Sequence, residues 1–321
     1  MKKYLIILSF ITFAFISCKK NNVSTADGFT VETIKTTYKV GDTVNFKLSG
    51  NPDIITFYSG EAGSKYEYSN RTALAGKVTM SFNTLMQQGS TDPKVQQGTL
   101  HILASSNFLL LTPGVVLDSA AVANAPVGTW TDITNRFTLP KVPVTTSTYL
   151  PSGSADITDL ASVDKPVIFA FRYTDTARAT LAQRFYQINT FTIDNTLPDG
   201  SKVNEYLLVN GSATPLLTPV NIKNLAVKWG INSSSPAFNI NLNSPVNQAD
   251  NEDWIFTKPV NLFAVSPDLG LGIKGYTDNT PDTYQKVYKA AGTCTVTFIG
   301  KNQNIYDSKQ VVRHITLTIT P

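Results

Sequence analysis

Thirteen tyrosines and three tryptophans stand beside only two histidines and two cysteines. Recognition chemistry in this chain therefore has to rest on aromatic faces and carboxylates. Tyr58, Tyr66 and Tyr68 fall at or just after the loop from Ser59 to Ser64, with Glu61, Glu67, Asn70 and Arg71 close by. Aromatic faces stack on the apolar faces of sugar rings while neighbouring amides and acids take the hydroxyls, so this stretch leads the ligand-binding candidates. Read as an extended segment, its period of two puts Tyr66 and Tyr68 on one face. Trp130, Tyr149, Trp254 and Tyr276 lie at expected strand ends or in loops and complete the set. Against each stands the commoner fate of a lone tryptophan in a β-sandwich, which is packing in the core.

The 23 acids mostly fall in loops. Two carboxylates held roughly 5 to 10 Å apart are enough to hydrolyse a glycosidic bond, and within apolar strand runs only Asp194 and Glu205 stand out. Calcium is the cofactor such acids could hold, because carboxylates and backbone carbonyls can pin two strand ends together. The candidates are Asp132, Asp156 and Asp159 in the middle of the chain and Asp250, Glu252 and Asp253 further on. Without a D-x-D-x-D-G loop, each acid also reads as a turn residue or loop cap.

Other chemistries are poorly served. Gly270-Leu271-Gly272-Ile273-Lys274-Gly275 spells G-x-G-x-x-G, but Pro267-Asp268 precedes it and the run from Tyr276 to Pro281 follows, so no helix N-terminus is available for a pyrophosphate. It reads as a glycine-rich strand and loop, and no nucleotide is expected. His314 falls on the solvent side of the last strand, and His101 has no acid or nucleophile near it in sequence. The G-x-S-x-G, H-E-x-x-H and C-x-x-C patterns are all missing. Removing Lys2 and Lys3 with a signal segment lowers the formal net charge from +4 to +2, which gives no pull toward nucleic acid.

The elements that must position these residues begin after a targeting segment. Met1-Lys2-Lys3 and the apolar run from Tyr4 to Ile16 have the layout of a secretory signal, and the run is too short to span a bilayer. Ile16-Ser17-Cys18 resembles the bacterial lipobox, apart from Phe15 where leucine is usual. That resemblance implies a signal peptide over 1–17, lipid on Cys18 and a polar tether over 18–27. Cys294 is left without a disulfide partner and, sharing a face with Val296 and Phe298, is expected in the core.

Beyond the tether the composition is that of an all-β secreted protein: charged residues make up 16% and turn residues recur between short apolar runs. Phe29–Ile34, Thr43–Leu48 and Ile54–Tyr58 read as strands near the front, and Tyr284–Phe298 and His314–Ile319 near the end. Val40–Phe46 and Tyr288–Val296 resemble the opening and closing segments of a polycystic-kidney-disease (PKD) type immunoglobulin-like domain. They lie far apart, so either a module is inserted into one sandwich or each end forms its own. Three or four strands at each end are too few to cover two faces, and the split sandwich, 28–69 plus 247–321, is preferred. Between them, 70–246 carries strands at Gly98–Leu103, Ile133–Leu139, Pro166–Tyr173, Arg184–Ile193, Tyr206–Val209 and Ala226–Trp229, spaced as in a jelly-roll β-sandwich. Val167–Tyr173 alternates large and small as a strand between two layers does.

Trp130–Thr134, Ser152–Thr158 and Phe169–Tyr173 resemble jelly-roll modules of adhesins and carbohydrate-binding proteins. The whole layout, from the lipobox through Phe57–Glu61 and Asp253–Ile255 to Gly292-Thr293, resembles a Bacteroidetes lipoprotein family known only as a domain of unknown function. The resemblance implies an outer-membrane, lipid-anchored protein near a starch-utilisation-type glycan importer, at the cell surface rather than the periplasmic face. The expected function is non-catalytic capture of a polysaccharide or similar polymer. The alternatives are a glycoside-processing enzyme with a carboxylate pair and an adhesin or structural partner of an outer-membrane transporter.

Overall fold

The computed structural model describes residues 22–108, 117–207, 217–232, 237–241 and 249–321. Cys18 and the signal-like run lie outside them. Among the described residues the regular secondary structure is almost all β-strand, and the chain divides into two units, Met1–Arg71 with Pro267–Pro321, and Thr72–Ser266. Among the described residues no helix is long and apolar enough to cross a membrane.

The first unit is a sandwich of two sheets. One runs β1 (Thr30–Thr33), β3 (Thr43–Ser49), β18 (Thr283–Val287); the other runs β17 (Leu271–Lys274), β4 (Ile54–Tyr58), β19 (Gly292–Gln303), β20 (Ser308–Thr320), β2 (Thr37–Lys39). Because β3 pairs with β18 and β4 pairs with both β17 and β19, the two chain ends build one sandwich. Alternation in β3 sends Val44, Phe46 and Leu48 inward, while β19 contributes Cys294, Val296 and Phe298 and β20 contributes Leu317 and Ile319. Phe46 and Phe298 meet edge to face at 5.1 Å. Each fully buried phenylalanine contributes about 2 to 3 kcal/mol through apolar burial, so this aromatic centre holds the two halves of the unit together.

The tether is shorter than expected. Val23 and Ala26 are buried against this sandwich, Asn302 donates to the Ser24 carbonyl, and Arg313 donates to the carbonyls of Asp27 and Phe29. Two small apolar side chains inside a polar stretch are enough to dock it.

In the second unit a five-stranded sheet runs β13 (Leu217–Lys223), β16 (Asn251–Thr257), β10 (Ile168–Asp175), β6 (Leu100–Ser105), β7 (Thr131–Asp132). The facing sheet runs β14 (Lys228–Asn232), β15 (Ala237–Asn241), β11 (Phe185–Thr196), β5 (Lys77–Gln87), β8 (Leu150–Pro151), with β9 (Ala155–Asp156) beside β5 and β12 (Lys202–Leu207) beside the later part of β11. Phe169, Phe171 and Tyr173 face the core between the sheets, whereas Ile168 and Ala170 pack on the other side beneath the segment that carries the short helix α1 (Ser119–Ala123). Both faces of β10 are covered, as its alternation requires.

Three expectations are corrected. The second crossing between units falls after Ser266 rather than 246, because β16 lies between β10 and β13; its Trp254-Ile255-Phe256 run is buried on both faces, which suits an interior strand. Ile133–Leu139 is not a strand: Thr134–Arg136 is a 3-10 turn that the Asp132 side chain starts by accepting from Thr134 N. The eleven-residue β5, with Val78, Met80 and Phe82 inward, was not foreseen.

Candidate functional site

The outer face of β19 and β20 is a threonine surface. Register pairs Thr293 with Thr318, Thr295 with Thr316 and Thr297 with His314, while Tyr58 of β4 stands opposite Thr297 on the other side. Period two in three neighbouring strands thus places Tyr58, Thr297 and His314 in one row across the sheet. The Thr297 hydroxyl and His314 Nδ1 lie 2.9 Å apart. Tyr66 closes over this row, edge to face with Tyr58 at 5.5 Å and tilted against His314 at 5.8 Å. The result is a cleft of about 520 Å³ lined by Gly60, Lys65, Tyr66, Glu67, Thr293, Thr295, His314 and their neighbours. That volume lies inside the roughly 300 to 1,000 Å³ span of small-molecule sites.

The loop that carries Tyr66 is tightly held. Gly60 N donates to Ser64 O at 2.8 Å, Tyr288 Oη donates to Ser59 O, and Glu61 pairs with Lys286 at 2.7 Å. Gly60 has φ +78°, and a Cβ there would sit 2.7 Å from the Thr295 carbonyl oxygen, so the loop approaches β19 only because this residue is glycine. The buried Asp268 carboxylate accepts from Lys65 N at 2.9 Å and from Arg71 Nη2 at 3.0 Å, tying the start and end of the Tyr66–Tyr68 turn to one anchor. Burial pushes the Cys294 thiol up, and strand alternation turns it into the core, away from Thr293 and Thr295. Lys65 and Glu67 stand on the same rim with opposite charges, which favours a neutral, hydroxyl-rich ligand over an ion.

Tyr66 and Tyr68 do not share a face. They belong to a 3-10 turn rather than a strand, and at three residues per turn a step of two places side chains about 120° apart. Tyr68 instead lies under the Arg71 guanidinium at 4.4 Å and the Lys65 ammonium at 5.5 Å. Trp254 is only 6% exposed and belongs to a cluster with Phe108, Trp130 and Phe256, so both tryptophans pack rather than present a platform. Tyr149 is spent on a hydrogen bond to Gln187 Oε1 at 2.7 Å, and Tyr276 stands 66% exposed beyond β17.

The proposed calcium ligands are not brought together. Arg136 grips both Asp159 oxygens at 2.5 and 2.8 Å and holds that carboxyl below its usual range. The Thr158 hydroxyl and then its N–H lower Asp156 likewise. Asp132 lies 2.9 Å from His101 Nδ1; burial alone would raise it, but hydrogen bonds from Thr134 and His101 hold it down. His101 therefore has an acid partner that sequence proximity concealed. In the other set, Asp250 accepts from Ala177 N, Glu252 pairs with Arg172 at 3.0 Å and Lys223 at 3.8 Å, and Asp253 is turned to the opposite face of β16 by strand alternation. Among the described residues no three His, Cys, Asp or Glu side chains converge to hold a metal ion.

Two carboxyls are displaced upward. Burial, with a smaller contribution from the Glu252 charge, lifts Asp253 to about 8, and neither of its oxygens has a hydrogen-bond partner. Burial lifts Glu205 to about 7, against a hydrogen bond from Asn195. Asp253 belongs to the five-stranded sheet and Glu205 to β12 beside the facing sheet. Asp194 is engaged by the Asn204 amide.

The profile of a family described as a domain of unknown function, DUF5017, matches residues 17–213 of this chain. The chain belongs to that family. Neither a curated protein nor a solved structure matches it. The DUF5017 match takes in Gly60, Lys65, Tyr66 and Glu67 and leaves Thr293, Thr295, Thr297 and His314 beyond it, so the cleft draws one wall from inside the family match and one from outside. Sequence reasoning missed that second wall. The signal was present in the alternating threonines of β19 and β20, but it needed the register to be read.

Proposed function

We propose that this DUF5017 chain is a non-catalytic, lipid-anchored protein of the bacterial cell envelope that captures a polysaccharide or similar neutral polymer through the Tyr66–His314 cleft. The reading rests on one observation above all: an aromatic wall facing a floor of threonine hydroxyls, with an imidazole at one end and balanced charges on the rim. Ring faces take the apolar side of a sugar while hydroxyl, imidazole, ammonium and carboxylate groups exchange hydrogen bonds with its hydroxyls. The anchor is lipid on Cys18, and the expected place is the outer membrane near a starch-utilisation-type importer. In this reading the first unit is the PKD or immunoglobulin-like module and the second an inserted jelly-roll module.

A glycan array probed with the purified chain tests the reading. Binding to one class of neutral glycan, competed by the free oligosaccharide and lost in Tyr66→Ala, is the expected result. Absence of binding to every glycan refutes it, and release of reducing sugar from a bound glycan replaces capture with catalysis.

A further inference from the structure

We propose that the second unit holds a separate site for a small amphipathic anion, an alkyl or aryl carboxylate, in the cavity where its two sheets part beside Tyr186. The cavity measures about 580 Å³. Its inner wall combines Met86 at the end of β5, Leu100 at the start of β6, and Phe137, Leu139 and Tyr186, so both sheets and the segment after β7 contribute apolar surface.

The polar groups along this wall are already engaged. Tyr186 Oη and Thr99 Oγ1 lie 2.7 Å apart and close the inner end. Gln96 donates to Ala182 O and Asp175 and accepts from Ser90 N, and Thr134 Oγ1 accepts from Ile102 N. A ligand entering here gains apolar contact and finds few free hydrogen-bond partners, which selects a hydrocarbon or aryl body.

The mouth selects the other end of the ligand. Lys94 and Lys141 line it, both exposed, and no carboxylate lines the cavity. Neither lysine takes part in an ion pair among the described residues. Two free ammonium groups over an apolar recess complement a single carboxylate with its body pointing inward. This contrasts with the charge-balanced cleft of the first unit, so the two sites take different ligand classes.

The experiment is titration of the full chain with sodium octanoate, followed by calorimetry and by NMR of the Met86 methyl group, with octanol and octylammonium as neutral and cationic controls. Octanoate is expected to bind saturably at one site, octanol about tenfold more weakly, and octylammonium without saturation. Lys94→Glu/Lys141→Glu raises the octanoate Kd by roughly tenfold or more while the thermal transition stays in place, since both side chains are exposed. Leu139→Trp fills the recess and abolishes binding. Tyr66→Ala leaves octanoate binding unchanged whether or not the glycan reading holds. Equal affinity for octanol, indifference to the charge reversal, no saturable binding, or loss in Tyr66→Ala each overturns the proposal.

Discussion

Asp253 gives the sharpest energetic prediction. Its side chain is 0% exposed, its carboxyl oxygens have no partner, and one of its two cross-strand neighbours is the buried Tyr173, whose hydroxyl also lacks one. A carboxyl in such a place folds in the protonated form, and its value of about 8 lies above the ordinary 3.8 expected of the unfolded chain. Between those two values the native state holds a proton that the unfolded state has released, so stability falls as pH rises. The contribution is fully present below about pH 4 and lost as pH climbs through about 8. One pH unit is worth about 1.4 kcal/mol, so the full span from 3.8 to about 8 approaches 6 kcal/mol, and relaxation of the site brings the expected effect to about 2 to 4 kcal/mol. Asp253→Asn removes the titration while keeping the shape. The variant should match the parent near pH 4.5 and exceed it by about 2 to 4 kcal/mol at pH 8.5. Urea unfolding followed by tryptophan fluorescence suits the purpose, because Trp130, Trp229 and Trp254 all lie in the second unit. A stability difference between parent and variant that does not change with pH refutes the reasoning.

The remaining predictions concern the cleft and the acids. Asp268→Asn weakens the charge-assisted bonds that anchor the Tyr66 turn, so the first unit should lose about 1 to 2 kcal/mol in chemical denaturation and glycan affinity should drop with it; unchanged affinity would detach the anchor from the site. Removing divalent cations with a chelator should leave the melting temperature unmoved, because Asp156 and Asp159 are taken by Thr158 and Arg136 and Glu252 by Arg172 and Lys223. A fall of several degrees, restored by calcium, would reinstate a calcium site. Phe298→Ala opens the centre of the first sandwich and should cost about 3 to 5 kcal/mol in its unfolding transition.

Much of the fold can be read from alternation. β3, β10, β19 and β20 announce themselves because one or both of their faces carry large apolar residues at a strict period of two. β16 was misplaced because large apolar side chains stand on both of its faces at Trp254-Ile255-Phe256, so the alternation that β10 keeps is lost and the run no longer says which sheet it joins. The tyrosine cleft was half legible. Tyr58 and Tyr66 could be named from their loop, but the choice between strand and 3-10 turn over Tyr66–Tyr68 depends on the hydrogen bonds of Asp268, some 200 residues away. His314, Thr297 and the Asp132 partner of His101 were hidden likewise, because strand register brings them into place. The acids of the calcium sets are close in sequence yet engaged apart from one another, because Asx turns, an arginine and opposite strand faces divide them.

The central claim is that Tyr66 is the wall of a glycan site. The direct measurement is calorimetric titration of the best array glycan into the parent, Tyr66→Ala, and Tyr276→Ala as an exposed aromatic control outside the cleft. The account predicts that Tyr66→Ala raises Kd by roughly tenfold or more, as expected for a lost stacking face, while Tyr276→Ala binds as the parent does. Equal affinity in parent and Tyr66→Ala contradicts it.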